Sequence, residues 1–367
     1  MKKPLLIPLF CIAAACARPQ EGAGPVRLGI VGLVHDHVRS FIPELAGRRD
    51  VQLVGIVETN RELVAQIAER FHLGADLFFP SIEALRARTG VQAVATFTST
   101  FDHRRVVETC APLGIDVMME KPMAVSLDDA RAMAEASGRG GIQVIVNYET
   151  TWYPSTQSAY ALVHGQHAIG ELRKIVVRDG HPGPAPWCTP FFMAWLTDPV
   201  LNGGGVLMDF GCYGADLVTW LMEGRRPTSV FAVTQHFQPD VYAKVDDEAT
   251  IVLTYPRAQA ILQASWNWPY NRKDMDIYGQ SGALRLPDRN SLFLRKGEAP
   301  EAPAAAPALP APYGDSISYY VAVVRRQIQP SGLSSLGVNL TVCEILDAAR
   351  ESARTGRRID LGGDSAR

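Results

Sequence analysis

The residue with most chemistry to offer is Lys121, in the tripeptide Glu120-Lys121-Pro122. It follows a mostly apolar run, Ile115-Asp116-Val117-Met118-Met119, bounded by Gly114 and Pro122. A short apolar run between such punctuating residues reads as a buried strand. The carboxyl end of a strand is where open α/β sheets bind ligands. Pro122 fixes its own backbone and biases Lys121 toward an extended conformation. An ammonium held there can donate to a substrate hydroxyl or exchange a proton with it.

A second set lies between Gly203 and Asp216, where a glycine triplet opens an apolar segment that runs to Leu221. Asp209, Tyr213 and Asp216 recur at i, i+4 and i+7, which is one face of a helix. A phenol near a lysine ammonium can act as acid or base, because positive charge favours the phenolate. The plainer alternative is a buried tyrosine hydrogen-bonded to a carboxylate.

A third set follows the first strand-like run, Val26 to Val31, in Gly32-Leu33-Val34-His35-Asp36-His37. A dinucleotide fingerprint, G-x-G-x-x-G, belongs at this place. Gly32 holds the first glycine position, Val34 replaces the second and His37 the third. The second glycine normally lets backbone approach a pyrophosphate, so Val34 departs from the pattern where it matters most. The helix N-terminus can still face an anion. Glu58 ends the next strand, about 20 residues beyond the fingerprint. An acid there suits a ribose 2′-hydroxyl and disfavours a 2′-phosphate, which favours NAD over NADP. His35 and His37 flank Asp36, but no other clear ligands accompany them, and no metal is expected.

Strands read at Val26–Val31, Val51–Val57, Ala93–Phe97, before Lys121 and at Ile142–Val146 alternate with helices, including Arg61–Phe71, His103–Leu113 and Leu127–Ala136. That rhythm predicts a Rossmann-type, doubly wound parallel sheet. After Tyr148 the strands, such as 229–237, 249–255 and 258–266, are mostly separated by turns. They predict a second, α+β domain with a large, mostly antiparallel open sheet. The reading divides the chain into a leader (1–24), a dinucleotide domain (25–147), the α+β domain (148–334) and a C-terminal helix and tail (335–367) packed back on the first domain.

Apolar residues make up 47% of the 367 and charged residues 20%, an ordinary balance for a globular protein. The net charge of -2 suggests no nucleic-acid partner. Lys2-Lys3 precede an apolar segment from Leu5 to Ala15, then Cys16. This is the order of an export signal. Ala13-Ala14-Ala15-Cys16 resembles a bacterial lipobox with Ala13 in place of the usual leucine. The expected location is therefore outside the cytoplasm, periplasmic or anchored by a lipid on Cys16. Ordinary cleavage at Ala15-Cys16-Ala17 is the rival. Cys110, Cys188, Cys212 and Cys343 show no metal-ligand spacing, and any disulfides cannot be paired from sequence.

Together, Gly32, Glu58, His103, Glu120-Lys121-Pro122, the Gly203 to Asp216 motif and Glu351 to Arg357 resemble the Gfo/Idh/MocA oxidoreductase family from Val26 to Leu361. The resemblance implies bound NAD or NADP and hydride transfer to or from a sugar, cyclitol or related polyol. It implies cofactor contacts at Gly32, Leu33, Val34, Glu58, His103 and Glu120. Lys121 matches the family lysine that contacts substrate and nicotinamide, and Asp209 its substrate-orienting aspartate. Tyr213 stands where most members have a catalytic histidine; members resembling glucose–fructose oxidoreductase carry tyrosine. The open sheet implies a homo-oligomer. Two alternatives stand beside this expectation: a redox-neutral glycosidase that borrows NAD transiently, and a non-catalytic carbohydrate-binding lipoprotein. Trp152, Tyr153, Trp187, Trp195, Trp266 and Trp268 are aromatic groups able to line a sugar site.

Overall fold

The computed structural model describes residues 24–362; the leader reading, including Cys16, lies outside them. The first half forms a six-stranded parallel sheet: β1 Val26–Val31, β2 Val51–Val57, β3 Phe78–Phe79, β4 Ala93–Thr96, β5 Asp116–Glu120 and β6 Val144–Asn147. Their order is β3-β2-β1-β4-β5-β6, the expected doubly wound arrangement. Every residue of β4 and β5 is buried, because helices cover both faces. Each fully buried Val, Ile or Met side chain contributes roughly 1.5–3 kcal/mol.

Helix starts follow local chemistry. Asn60 caps Arg61–Phe71 by accepting from the backbone N–H groups of Glu62 and Leu63. Ser126 caps Leu127–Gly140 through the Asp129 N–H. The helix after β4 stops at Cys110 and continues as a 3-10 turn, Ala111–Leu113, because Pro112 lies inside it.

The second sheet has nine strands: β7 Leu172–Gly180, β8 Ser229–Gln235, β9 Glu248–Thr254, β10 Gln259–Ser265, β11 Arg272–Gly279, β12 Gly282–Leu286, β13 Phe293–Lys296, β14 Ala302–Pro303 and β15 Ile359–Asp360. Their order is β14-β13-β12-β11-β7-β10-β9-β8-β15. Only β7 and β10 pair in parallel among these neighbours. Sequence reading missed the last four of these strands, which are short or carry mixed polar residues.

The apolar Gly203–Leu221 segment is not one helix. It divides into Val206–Asp209 and Gly211–Leu221 at Phe210. The start is fixed by Asp246, whose carboxylate accepts the N–H groups of Gly205 and Leu207 at 3.0 and 2.7 Å. Only glycine fits at 205: a Cβ there would lie 1.9 Å from the Asp246 carbonyl oxygen. Helix Gly211–Leu221 is buried along its whole length.

The two halves are stitched by the last helix, Leu336–Thr355. The Arg350 guanidinium donates to the carbonyls of Gly203 and Val125, and Asp347 accepts the Leu127 N–H. Helix Ser316–Val324 also returns to the first half, where the Tyr320 hydroxyl donates to the Val94 carbonyl at 3.0 Å. It shares one apolar cluster with Leu28, Ile30 and Ile56. Sheet connectivity alone therefore does not describe the core of the first half.

Candidate functional site

Lys121 follows directly on β5 and is joined to Pro122 by a cis peptide bond. Its Nζ donates to Asp209 Oδ1 at 2.5 Å and to the Asp209 carbonyl at 3.0 Å. Both side chains are 8% exposed. The other carboxylate oxygen, Oδ2, accepts from Trp266 Nε1 at 2.9 Å. Burial alone would push the Asp209 carboxyl up and the Lys121 ammonium down. Their mutual attraction outweighs burial, holding Asp209 below its ordinary value and Lys121 above its own.

Tyr213 joins this pair. Its ring centroid lies 5.2 Å from Lys121 Nζ and 4.9 Å from Lys273 Nζ. It stacks on Phe210 and meets Tyr148 edge-on. Two ammonium groups suggest an easily ionised phenol, but the opposite holds. Burial comes first, and Glu149, Cys212, Glu120 and Asp209 add to it, raising Tyr213 well above a phenol's ordinary value. Tyr213 is therefore a neutral hydrogen-bond donor rather than a phenolate, correcting the expectation drawn from sequence. No hydrogen bond among the described residues engages its hydroxyl.

Asp216 does not join them. Its carboxylate is fully buried in the second domain, and neither oxygen has a hydrogen-bond partner among the described residues. The i, i+4, i+7 spacing misleads because the helix breaks at Phe210, between Asp209 and the other two.

Tyr213, Glu120, Asn147, Glu149, Trp152 and Arg289 line a cavity of about 490 Å³. Glu149 and Arg289 also line a neighbouring cleft of about 760 Å³, with Tyr153, His181 and Phe210. Lys273 reaches this region from β11 and ion-pairs with Glu149. Sequence reading missed Lys273, Glu149 and Asn147; nothing in their local pattern distinguishes them from surface or strand-end residues. Of the aromatics, Trp152 and Tyr153 line these spaces and Trp266 orients Asp209. Trp195 packs elsewhere, and Trp187 is 75% exposed.

The nucleotide-type residues gather on the other side of β1. Gly32 has φ +81, and a Cβ there would lie 2.6 Å from Thr98 Cγ2, so the turn demands glycine. The Leu33 N–H donates to Glu58 Oε2 at 3.0 Å, while Oε1 accepts from Thr59 and Asn60. Leu33 contributes backbone only; its side chain is core. Gly32, Val34, Glu58, Thr98 and Arg105 line a cavity of about 440 Å³. These residues fit the adenosine end of a dinucleotide: the glycine turn is intact, and Glu58 Oε2 carries one bond and can accept a ribose hydroxyl.

The rest of this loop packs against the second half. The Val34 carbonyl accepts from Trp195 Nε1 at 3.3 Å, and Asp36 accepts both the N–H and hydroxyl of Thr189 at 2.7 Å. His35 is sealed against Phe192, Trp195 and Phe97. His103 lines none of the three cavities; it is 1% exposed and its Nδ1 lies 3.2 Å from the Met123 carbonyl oxygen. Burial lowers its pKa, so a neutral ring braces the turn after Lys121. Cys110, Cys188, Cys212 and Cys343 are free thiols.

A parallel nucleotide-type sheet, an open nine-stranded sheet and a buried lysine–aspartate pair where they meet define a two-domain, nicotinamide-type dehydrogenase. Residues 26–148 match the family described as "Oxidoreductase family, NAD-binding Rossmann fold", and residues 157–285 match the "GFO/IDH/MocA C-terminal domain". The chain belongs to the Gfo/Idh/MocA oxidoreductases.

It is similar to D-apiose dehydrogenase of Paraburkholderia graminis, 24% identical over 335 residues, covering 84% of this chain and 83% of the relative. Its fold is similar to an aldose-aldose oxidoreductase from Caulobacter crescentus complexed with glycerol: TM-score 0.79, 22% identity, 92% of this chain and 100% of the other. An inositol dehydrogenase homologue from Azotobacter vinelandii, complexed with NAD+, superposes with TM-score 0.80 at 19% identity, over 92% of this chain and 98% of the other.

Proposed function

We propose that this protein transfers a hydride between NAD and a hydroxyl-bearing carbon of a sugar, cyclitol or related polyol. The observation that carries the reading is the Lys121–Asp209 pair packed against Tyr213, which lines a cavity. Two of the three Lys121 N–H donors serve Asp209, leaving the third for a substrate oxygen. The neutral Tyr213 hydroxyl can donate to that same oxygen, and it can accept the hydroxyl proton only if it passes a proton onward. Asp209 orients the ammonium, and Trp266 orients Asp209.

Gly32, the backbone of Leu33 and Val34, and Glu58 would hold the dinucleotide, with Glu120 beside the nicotinamide end. A bound nicotinamide supplies the hydride acceptor or donor at its C4 carbon. Glu58 favours NAD over NADP, since a 2′-phosphate would meet its carboxylate. Relatives named for apiose, xylose and inositol oxidation support a polyol substrate.

The redox-neutral glycosidase reading is favoured by one feature: the two adjoining spaces share Glu149 and Arg289, leaving room for a second sugar ring. Release of free sugar without net NADH distinguishes it. We further propose export and lipid attachment at Cys16, testable by mass spectrometry of the mature N-terminus, and self-association through the open sheet, testable by sedimentation.

The test is to denature the purified protein, look for released NAD(H) by mass spectrometry, and titrate NAD into the folded protein. Bound cofactor leads to a polyol screen followed at the NADH absorbance. No binding even at millimolar NAD would leave a carbohydrate-binding protein as the better account.

A further inference from the structure

His35, His37 and Glu120 each offer one ligand atom, and these atoms lie within 4.8 Å of one another. The two histidines come from the loop after β1 and the glutamate from the end of β5. His37 Nδ1 is 3.1 Å from Glu120 Oε2. We propose that these three side chains form a binding site for a divalent first-row transition ion, such as Zn²⁺ or Mn²⁺. The proposal does not rest on the dehydrogenase reading.

Two imidazoles and one carboxylate suit such ions, and three protein ligands leave positions open for water or substrate oxygen. His35 is 2% exposed and packed among Phe97, Phe192 and Trp195. A buried ring held so firmly loses little entropy on binding an ion. Its Nδ1 accepts the His37 N–H at 3.2 Å, and its Nε2 has no hydrogen-bond partner among the described residues. Capture through either nitrogen gives up this contact: an ion on Nδ1 replaces it, and an ion on Nε2 requires the ring proton to move to Nδ1. His37, with a side chain 53% exposed, can swing to close the remaining gap.

A separate observation points the same way. The 490 Å³ cavity that His37 and Glu120 line also carries Glu44, Glu149 and Asp315, against one arginine, Arg289. Arg48 balances Asp315 and Lys273 balances Glu149. The Glu44 carboxyl is raised, first by burial and then by repulsion from Asp315, with Glu120 contributing. A cation relieves that repulsion. The open coordination positions would face the space beside Tyr213, so the ion's natural further ligands are polyol hydroxyls.

The His-x-His spacing alone does not specify a site, which is why no metal is expected from sequence. The third ligand lies 83 residues beyond His37. The substitution that removes the third fingerprint glycine supplies one of the ligands.

The experiment uses protein purified without a polyhistidine tag and stripped with a chelator. ZnCl₂ and MnCl₂ are titrated calorimetrically, and Co²⁺ substitution is followed in the visible spectrum. One equivalent of an ion should bind, and His37→Ala and Glu120→Gln should each weaken it at least about tenfold. Thermal melts establish that both variants fold; His37 is exposed, so its variant is the safer. Failure of every ion to bind the stripped protein, or equally tight binding by both folded variants, overturns the site. NAD titration of the same stripped protein is read separately, so loss of one reading does not imply loss of the other.

Discussion

Lys121 Nζ and the Asp209 carboxylate meet at 2.5 Å across 88 residues of chain, in a place where both are largely shielded from solvent. A buried pair of this kind is costly to break and cheap to replace. Lys121→Met or Asp209→Leu alone should cost about 3–5 kcal/mol, because each leaves an uncompensated charge. The double variant should be far less destabilised than the sum. A double-mutant cycle from urea melts checks this, and additive costs would contradict it.

Tyr213→Phe separates catalysis from packing. With no hydrogen bond on the hydroxyl, the variant should melt within about 0.5 kcal/mol of wild type. Turnover should fall at least about tenfold, with KM for the polyol little changed. An unchanged turnover would remove Tyr213 from proton transfer.

Asp216 predicts a pH-dependent stability. Burial without a partner raises its carboxyl well above the ordinary value. Between the unfolded pKa, about 3.9, and the raised folded value, the unfolded chain releases a proton that the folded chain keeps. Its contribution to stability is therefore complete below the unfolded pKa and declines as pH rises, by up to about 1.4 kcal/mol per unit. Asp216→Asn removes this dependence. Its stability relative to wild type should improve as pH rises above about 4.5 in urea titrations, until the folded carboxyl ionises; a constant difference would mean Asp216 ionises normally.

Glu58→Ala should weaken NAD more than NADP. The carboxylate accepts three backbone N–H groups and would also lose its contact with the ribose. Freeing the charged acceptor's partners should cost about 1.5–3 kcal/mol of stability. Fluorescence titration with both dinucleotides decides the matter, and equal weakening of the two would show that Glu58 acts only through the loop.

Much of the fold was legible from period and punctuation. Asn60 and Ser126 start their helices as their side chains dictate, and the apolar runs at Val26–Val31 and Val51–Val57 became the paired strands β1 and β2. Lys121, Asp209 and Tyr213 could be named because each sits at a marked place: a strand end or a glycine-opened segment. Lys273, Glu149 and Asn147 could not be. Their roles come from register and proximity, as when β11 carries Lys273 opposite Asp179 on β7 and above the Tyr213 ring.

The sequence by itself determined the class of fold and the groups able to do chemistry, because periodicity, capping and residue type act over short stretches of chain. The tertiary structure decided which groups meet and in what state. Burial kept Tyr213 neutral despite two nearby ammonium groups, and the break at Phe210 separated Asp216 from Asp209. Strand order brought Glu120 to His37. Those outcomes depend on desolvation and on contacts between residues far apart in the chain, which no local pattern encodes.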